Sequence, residues 1–92
     1  MLGTYTKTPS DVMPYDIRFH RWLGDGDSLL SATATVAGST AVVDEVEVSL
    51  TIAKVWISGG ADLDEATITV TAVTELGLTK EVCFRLRIRD CH

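Results

Sequence analysis

Basic residues are scarce in this 92-residue chain: eight Lys and Arg stand against thirteen Asp and Glu, a net charge of −5. That balance argues against a dedicated nucleic-acid binder, which needs Lys and Arg to neutralise phosphates, and against an anionic membrane surface. Long hydrophobic runs are absent as well. The longest uncharged window, SLLSATATVAGSTAVV over residues 28–43, is broken by Ser, Thr and Gly and is too short and too polar to span a bilayer. The N-terminal stretch MLGTYTKTPSDVMPYD has no apolar core of the kind a signal peptide carries, so none is expected. Prolines number two, Pro9 and Pro14, both near the start.

Cysteine is equally sparse. Cys83 and Cys91 are eight residues apart in what reads as one strand. At ~3.3 Å per residue they are too distant for a disulfide unless the chain folds back after Asp90, so both read as free thiols, suited to a reducing compartment. A helical period is missing from every segment of useful length, which leaves strands as the regular structure.

What remains is a composition of 46% hydrophobic and 23% charged residues, that of one globular domain. Apolar residues alternate with polar ones in short stretches. Tyr15, Ile17 and Phe19 face one way in YDIRFHRWL, and GDGD at 24–27 follows as a turn. Leu30, Ala32, Ala34 and Val36 are expected inward in the next strand, then GST at 38–40 turns. VDEVEVSLTI reads as one strand with Val46, Val48, Leu50 and Ile52 inward. Ala66, Ile68, Val70 and Ala72 form the next inward row, and Glu75–Leu78 a hairpin turn around Gly77. The last strand alternates most cleanly, with Val82, Phe84, Leu86 and Ile88 inward. Six to seven such strands imply an all-β fold, an antiparallel β-sandwich, because one open sheet would leave an apolar face in water. Residues 1–14, with both prolines and few apolar side chains, are expected to form an extended arm preceding a domain over 15–92.

KVWISGG at 54–60 poses a specific problem. The two glycines end the run and bend the chain toward the next strand. The run itself is expected to lie on an edge or to switch between sheets. Its alternation leaves either Trp56 or the neighbouring Val55 and Ile57 facing away from the core, in need of other cover.

Candidate chemistry is thin. Asp25, Asp27, Asp62, Asp64 and Glu65 are loop acids, and DGD is reminiscent of calcium loops, but the full ligand spacing is missing and Asp and Gly are ordinary turn residues. His20 and His92 do not complete a zinc set with Cys91. Cys83 lies beside arginines that would favour its thiolate, yet no base completes a nucleophilic pair. No catalytic residue, metal site or cofactor is therefore expected. Arg85, Arg87 and Arg89 make a basic stripe on the outward face of the last strand. It reads either as pairing with Glu45 and Glu47 across neighbouring strands or as docking on an acidic partner. Trp22 reads as core or contact, and Trp56 as a contact candidate.

The segments YDIRFHRWLGDGDSLLSATATV (15–36) and KVWISGGADLDEATITVTAVTELGLTKEVCFRLRIRD (54–90) resemble small Ig-like virion proteins of tailed phages and prophages, the fiber–tail adaptor family. The shared pattern is an aspartate–aromatic strand ending in Trp-Leu, a Gly-Asp turn, Val-Trp-Ile-Ser-Gly-Gly, a Thr/Val strand, a Gly hairpin and a closing Phe-x-Leu-x-Ile-Arg strand. Ala66 stands where the family pattern has Tyr, and Cys91–His92 falls outside it. The resemblance implies an Ig-like sandwich and a non-enzymatic structural component of a phage virion, at the head–tail or tail–fibre junction. It implies as partners portal or adaptor proteins, tail or fibre subunits and copies of the chain itself, with neither nucleic acid nor membrane. The expected location is the virion, after synthesis in the host bacterial cytoplasm. Two other roles fit such a sandwich: a capsid cement or decoration protein, and a carbohydrate- or receptor-binding module using Trp22, Trp56 and Tyr5.

Overall fold

A computed structural model describes residues 3–24 and 26–90. Asp25, Cys91 and His92, named above, lie outside the described residues. The chain forms seven strands: β1 (Thr4–Lys7), β2 (Met13–Arg18), β3 (Leu29–Ala37), β4 (Val42–Val48), β5 (Ile52–Ser58), β6 (Glu65–Thr74) and β7 (Thr79–Ile88). A short 3-10 turn at His20–Trp22 follows β2. One sheet has the order β1-β7-β6-β3 and the other β2-β5-β4. The second, fifth and fourth strands thus face the seventh, sixth and third, the arrangement of an Ig-like sandwich. All pairings are antiparallel except β1 with β7, which is parallel.

The core is built from the inward rows. Ala66, Ile68, Val70 and Ala72 of β6 meet Phe84, Leu86 and Ile88 of β7, and Ala53, Val55 and Ile57 of β5 face them from the other sheet, all fully buried. Rows of this kind form because side chains alternate across a strand with period two. On the β1/β2 side the rings of Tyr5, Tyr15 and Phe84 close the gap between sheets, with centroids 5.5–5.8 Å apart.

Four expectations need correction. KVWISGG is neither an edge nor a switch strand: β5 is the centre of its sheet, paired with β2 on one side and β4 on the other. The glycines do the crossing, Gly59 at φ 76° and Gly60 at φ 94°, and β6 begins in the opposite sheet. VDEVEVSLTI is not one strand, because the chain turns at residues 49–51 and Leu50 is 75% exposed at the hairpin tip. Leu30 is exposed because a register shift between Leu29 and Ser31 places Leu29 inward instead. Finally, residues 4–14 do not stand apart as an arm. Thr4–Lys7 adds to the sheet beside Arg85–Ile88, and Pro14 sits within β2, where an edge strand tolerates a missing N–H.

Lys7 explains the position of β1. Its side chain is only 2% exposed and its Nζ donates to the carbonyls of Thr8 and Gly59, each at 2.6 Å. A buried ammonium must find such acceptors. Burial pushes its pKa down, and the charge of Asp11 pulls it partly back. The lysine therefore ties the first strand to the glycine turn after β5.

The acids at the same end of the sandwich act as turn staples. Asp64 accepts from the Ser39 hydroxyl (2.8 Å) and the Ala61 N–H (3.1 Å), joining the β3–β4 and β5–β6 loops. Those bonds hold its carboxyl below the usual range, the Ser39 hydroxyl most strongly. A depressed carboxylate pKa means that the unfolded chain binds the proton more readily. The stabilisation is present above an unfolded value of about 4 and is lost as pH falls through the lower folded value. Thermal unfolding from neutral pH downward should show a fall in midpoint beginning near pH ~4. Asp64→Asn should flatten part of that fall, and an unchanged acid limb would show that the staple contributes nothing.

Candidate assembly surfaces

Trp56 is set by the alternation of β5. Because Ala53, Val55 and Ile57 are buried inward, Lys54 and Trp56 project from the outer face of the sheet. Its cross-strand neighbours there are Pro14 on β2 and Glu45 on β4. The adjacent row is Asp16, Lys54 and Glu47. Three carboxylates thus surround the tryptophan and lysine on this face. A shallow depression of about 220 Å³ lies beside them, lined by Asp16, Glu47, Ile52 and Lys54 among others. The indole Nε1 of Trp56 is buried yet has no hydrogen-bond partner. Buried indole N–H groups ordinarily find an acceptor, so this one is an exception that calls for a cause.

The arginine stripe is on the opposite side of the sandwich. Arg85 and Arg87 project from the outer face of the β1-β7-β6-β3 sheet, beside Thr4 and Thr6 of β1 and Thr67 and Glu65 of β6. The pairing with Glu45 and Glu47 expected from sequence is not made, because those acids are on the other sheet. Glu65 takes that place. Its Oε1 lies 3.5 Å from Arg87 Nε and 3.4 Å from Arg89 Nη2. Arg89 is further bound through Nη1 to the carbonyls of Asp64 and Ile88. Arg85 is the member of the stripe with no ion pair among the described residues.

Trp22 occupies a third place, on the 3-10 turn at one end of the fold. Its ring packs edge-on to Phe19 at 5.6 Å, and the Lys80 ammonium lies 5.2 Å from its centroid. It lines an apolar pocket of about 220 Å³ with Leu23, Leu29, Ala72 and Leu78. The five contact candidates therefore do not converge. Of Trp22, Trp56 and Tyr5, Tyr5 and Trp22 line one depression of about 330 Å³ with Asp16, Arg18 and Arg21, and Trp56 is not part of it.

A feature that the sequence reading missed is the end of the sandwich near Trp22. The loops there are bound together: Leu29 N–H donates to Leu50 O, Glu75 N–H to Ser28 O, and Leu76 N–H to an Asp27 carboxylate oxygen. Leu30, Leu50, Leu76 and Leu78 are all more than half exposed at this end. Isolated leucines in loops carry no periodic signal, and only the fold gathers them.

The remaining candidates are structural or quiet. Asp62 accepts from Asp90 N–H at 2.8 Å, His20 is exposed on the 3-10 turn, and Cys83 is a half-buried free thiol opposite Thr69. Among the described residues there is no group of three or more His, Cys, Asp or Glu placed to hold a metal ion.

Fold and surface together define an Ig-like sandwich whose conspicuous features are tryptophans and arginines dispersed over several faces. Comparison with known families agrees. A family model described as podophage GP4 fiber-tail adaptor protein gp77 matches residues 7–87, nearly the whole sandwich, and the chain belongs to that family. The role that membership carries is structural, that of a fiber-tail adaptor among phage virion proteins. No curated protein matches the chain closely enough to add to this.

Proposed function

We propose that this chain is a non-enzymatic adaptor at the junction of a podophage tail with its fibres, bound to tail or fibre subunits and to copies of itself. The observation that carries this reading is the family match, which begins at the buried Lys7 and ends at Arg87, so that it covers both sheets. The geometry supports contact by surfaces and not by a cleft. Trp56 is turned away from its own core with an unsatisfied indole N–H, and Arg85 stands free of an ion pair among the described residues. Aromatic and Arg side chains are enriched where protein surfaces meet. Trp56, Trp22, Arg85, Arg87 and Arg89 are the proposed contact residues, with Arg87 and Arg89 already engaged by Glu65.

The location is tested on purified particles. Antibody labelling in electron micrographs is expected where fibres leave the tail. Label at the neck would move the adaptor to the head–tail junction, and label over the capsid surface would replace the reading with a cement role.

The contact role of Trp56 has its own expected result. Truncating a central aromatic can cost ~2 kcal/mol or more of binding. Trp56→Ala should therefore reduce incorporation into particles more than it lowers the unfolding midpoint of the free protein. A variant that unfolds readily but incorporates normally when folded would return Trp56 to an intramolecular role.

A further inference from the structure

Two open sheets leave four edge strands: β1 and β3 on one sheet, β2 and β4 on the other. Unpaired edges are templates for another strand, and folded proteins blunt them with charge, proline, bulges or brevity. Three of the four are blunted in this way. The first, β1, has four residues and ends in the buried Lys7. Pro14, Asp16 and Arg18 interrupt β2. In β4 there are Asp44, Glu45 and Glu47, with a register shift between Val43 and Glu45.

The fourth edge is not blunted. At nine residues β3 is the longest of the edges, and LLSATATVA has no charge, proline or glycine. Its one irregularity lies at its start, between Leu29 and Ser31. Along the rest, no strand among the described residues pairs with its second side.

The burial pattern points the same way. Ala32, Ala34 and Val36 face the core, yet all three are only half-buried, while their register partners on β6, Ala72, Val70 and Ile68, are fully buried. The core is therefore under-covered along this edge, where a further strand would lie; Val43, Val46 and Val48 of β4 are equally half-buried, and it is the acids and the register shift that set that edge apart.

We infer that the β3 edge is a self-association site, where a second copy of this chain pairs its own β3 antiparallel about a two-fold axis through Ala34. A two-fold contact must be self-complementary. That axis sets Thr33 opposite Thr35, Ala32 opposite Val36 and Ser31 opposite Ala37. Small side chains meet on the inner face, and threonines, a favourable cross-strand pair, meet on the outer one. No like charges are opposed. The same operation on β4 would crowd Asp44, Glu45 and Glu47 against their copies. The pairing joins two four-stranded sheets into one of eight strands. The inference gives the self-contact of the proposed adaptor a place, and rests on that part of the reading alone.

A single strand edge is a small interface, so association is expected to depend on concentration. Sedimentation of the free wild-type protein should show a mass rising toward twice that of the chain as concentration increases. Amide exchange over residues 30–37 should slow in parallel. Thr33→Lys with Thr35→Lys should abolish the dimer at every concentration while leaving the unfolding midpoint near that of wild type, because both side chains are exposed. Thr33→Glu with Thr35→Lys should restore it, since Glu then faces Lys across the axis. Thr4→Lys with Thr6→Lys, on the far edge of the same sheet, should leave it intact.

A wild type that stays monomeric with no change in exchange would overturn the site, as would a dimer that survives the double-lysine change in β3. Failure of the Glu/Lys pair to restore a dimer that the double-lysine change has abolished would overturn the axis through Ala34. Loss of the dimer on charging Thr4 and Thr6 would overturn the β3 edge as its location. Should the lysine variant not fold, Thr33→Glu with Thr35→Glu makes the same test, and the wild-type exchange experiment decides without any variant. None of these results bears on the tail location, which particle labelling reads separately.

Discussion

Phe84→Ala should lower the unfolding free energy by ~3–5 kcal/mol, the range for removing a large ring from a core. Phe84 is fully buried in β7, opposite Ile68 of β6, and its ring meets both Tyr5 and Tyr15. Removing it deletes buried area and leaves a cavity between the sheets, and it also strips the two tyrosines of the ring they pack on. Arg87→Ala on the same strand should cost well under ~1 kcal/mol, because its side chain is half exposed and surface ion pairs contribute little. Urea unfolding of both variants checks the contrast. Equal losses would contradict the assignment of inner and outer faces.

Gly60→Ala should cost about 2–4 kcal/mol, combining a left-handed backbone that opposes a side chain with overpacking of the core. Gly60 has φ 94°, and a Cβ there would run into Cδ1 of Ile88, with Cγ1 only 3.3 Å away. Ile88 is fully buried at the end of β7 and cannot swing into solvent. Gly24→Ala is the control, since a Cβ at Gly24 meets nothing within 4 Å. A Gly60→Ala protein as stable as the Gly24→Ala protein would mean that the turn relaxes freely.

The contrast between these glycines marks the limit of what the sequence reveals. Gly59–Gly60 was legible as the bend that carries the chain onward, because paired glycines stop a strand. That the bend delivers the chain to the other sheet, under the side chain of Ile88, depends on a residue twenty-eight positions later. The inward rows of β6 and β7 were read correctly throughout, since burial of one face imposes strict alternation. The same rule misled at Ser49–Leu50–Thr51. Their polar–apolar alternation continues that of β4, and no Gly or Pro marks the hairpin. Leu30 failed for a related reason, because a bulge shifts phase without altering composition. The first strand was hidden by its own polarity. Thr4-Tyr5-Thr6-Lys7 looks solvated until Lys7 is seen bonded to Gly59.

For the contact candidates, the sequence set the arginines outward but left open whether Trp56 or its neighbours Val55 and Ile57 turned away from the core, and it could not say that Trp56 and the arginines lie on opposite faces. Strand order decides that, and strand order is a tertiary property. It likewise decided that Glu65, and not Glu45 or Glu47, faces the arginines.

The parallel pairing of β1 with β7 has a mechanical consequence. The backbone bonds from Arg85 N–H to Gly3 O (2.9 Å) and from Arg89 N–H to Lys7 O (3.0 Å) bracket this short ladder. Tension applied at Gly3 and Asp90 draws the two strands in opposite directions along their length. The bonds are then loaded side by side and must yield together, whereas a pair pulled open from one end loses them one at a time. Lys7 adds a side-chain tether to Gly59 on the same load path. Four residues that contribute little to the apolar core thus govern how the domain resists being stretched between the two ends of its chain.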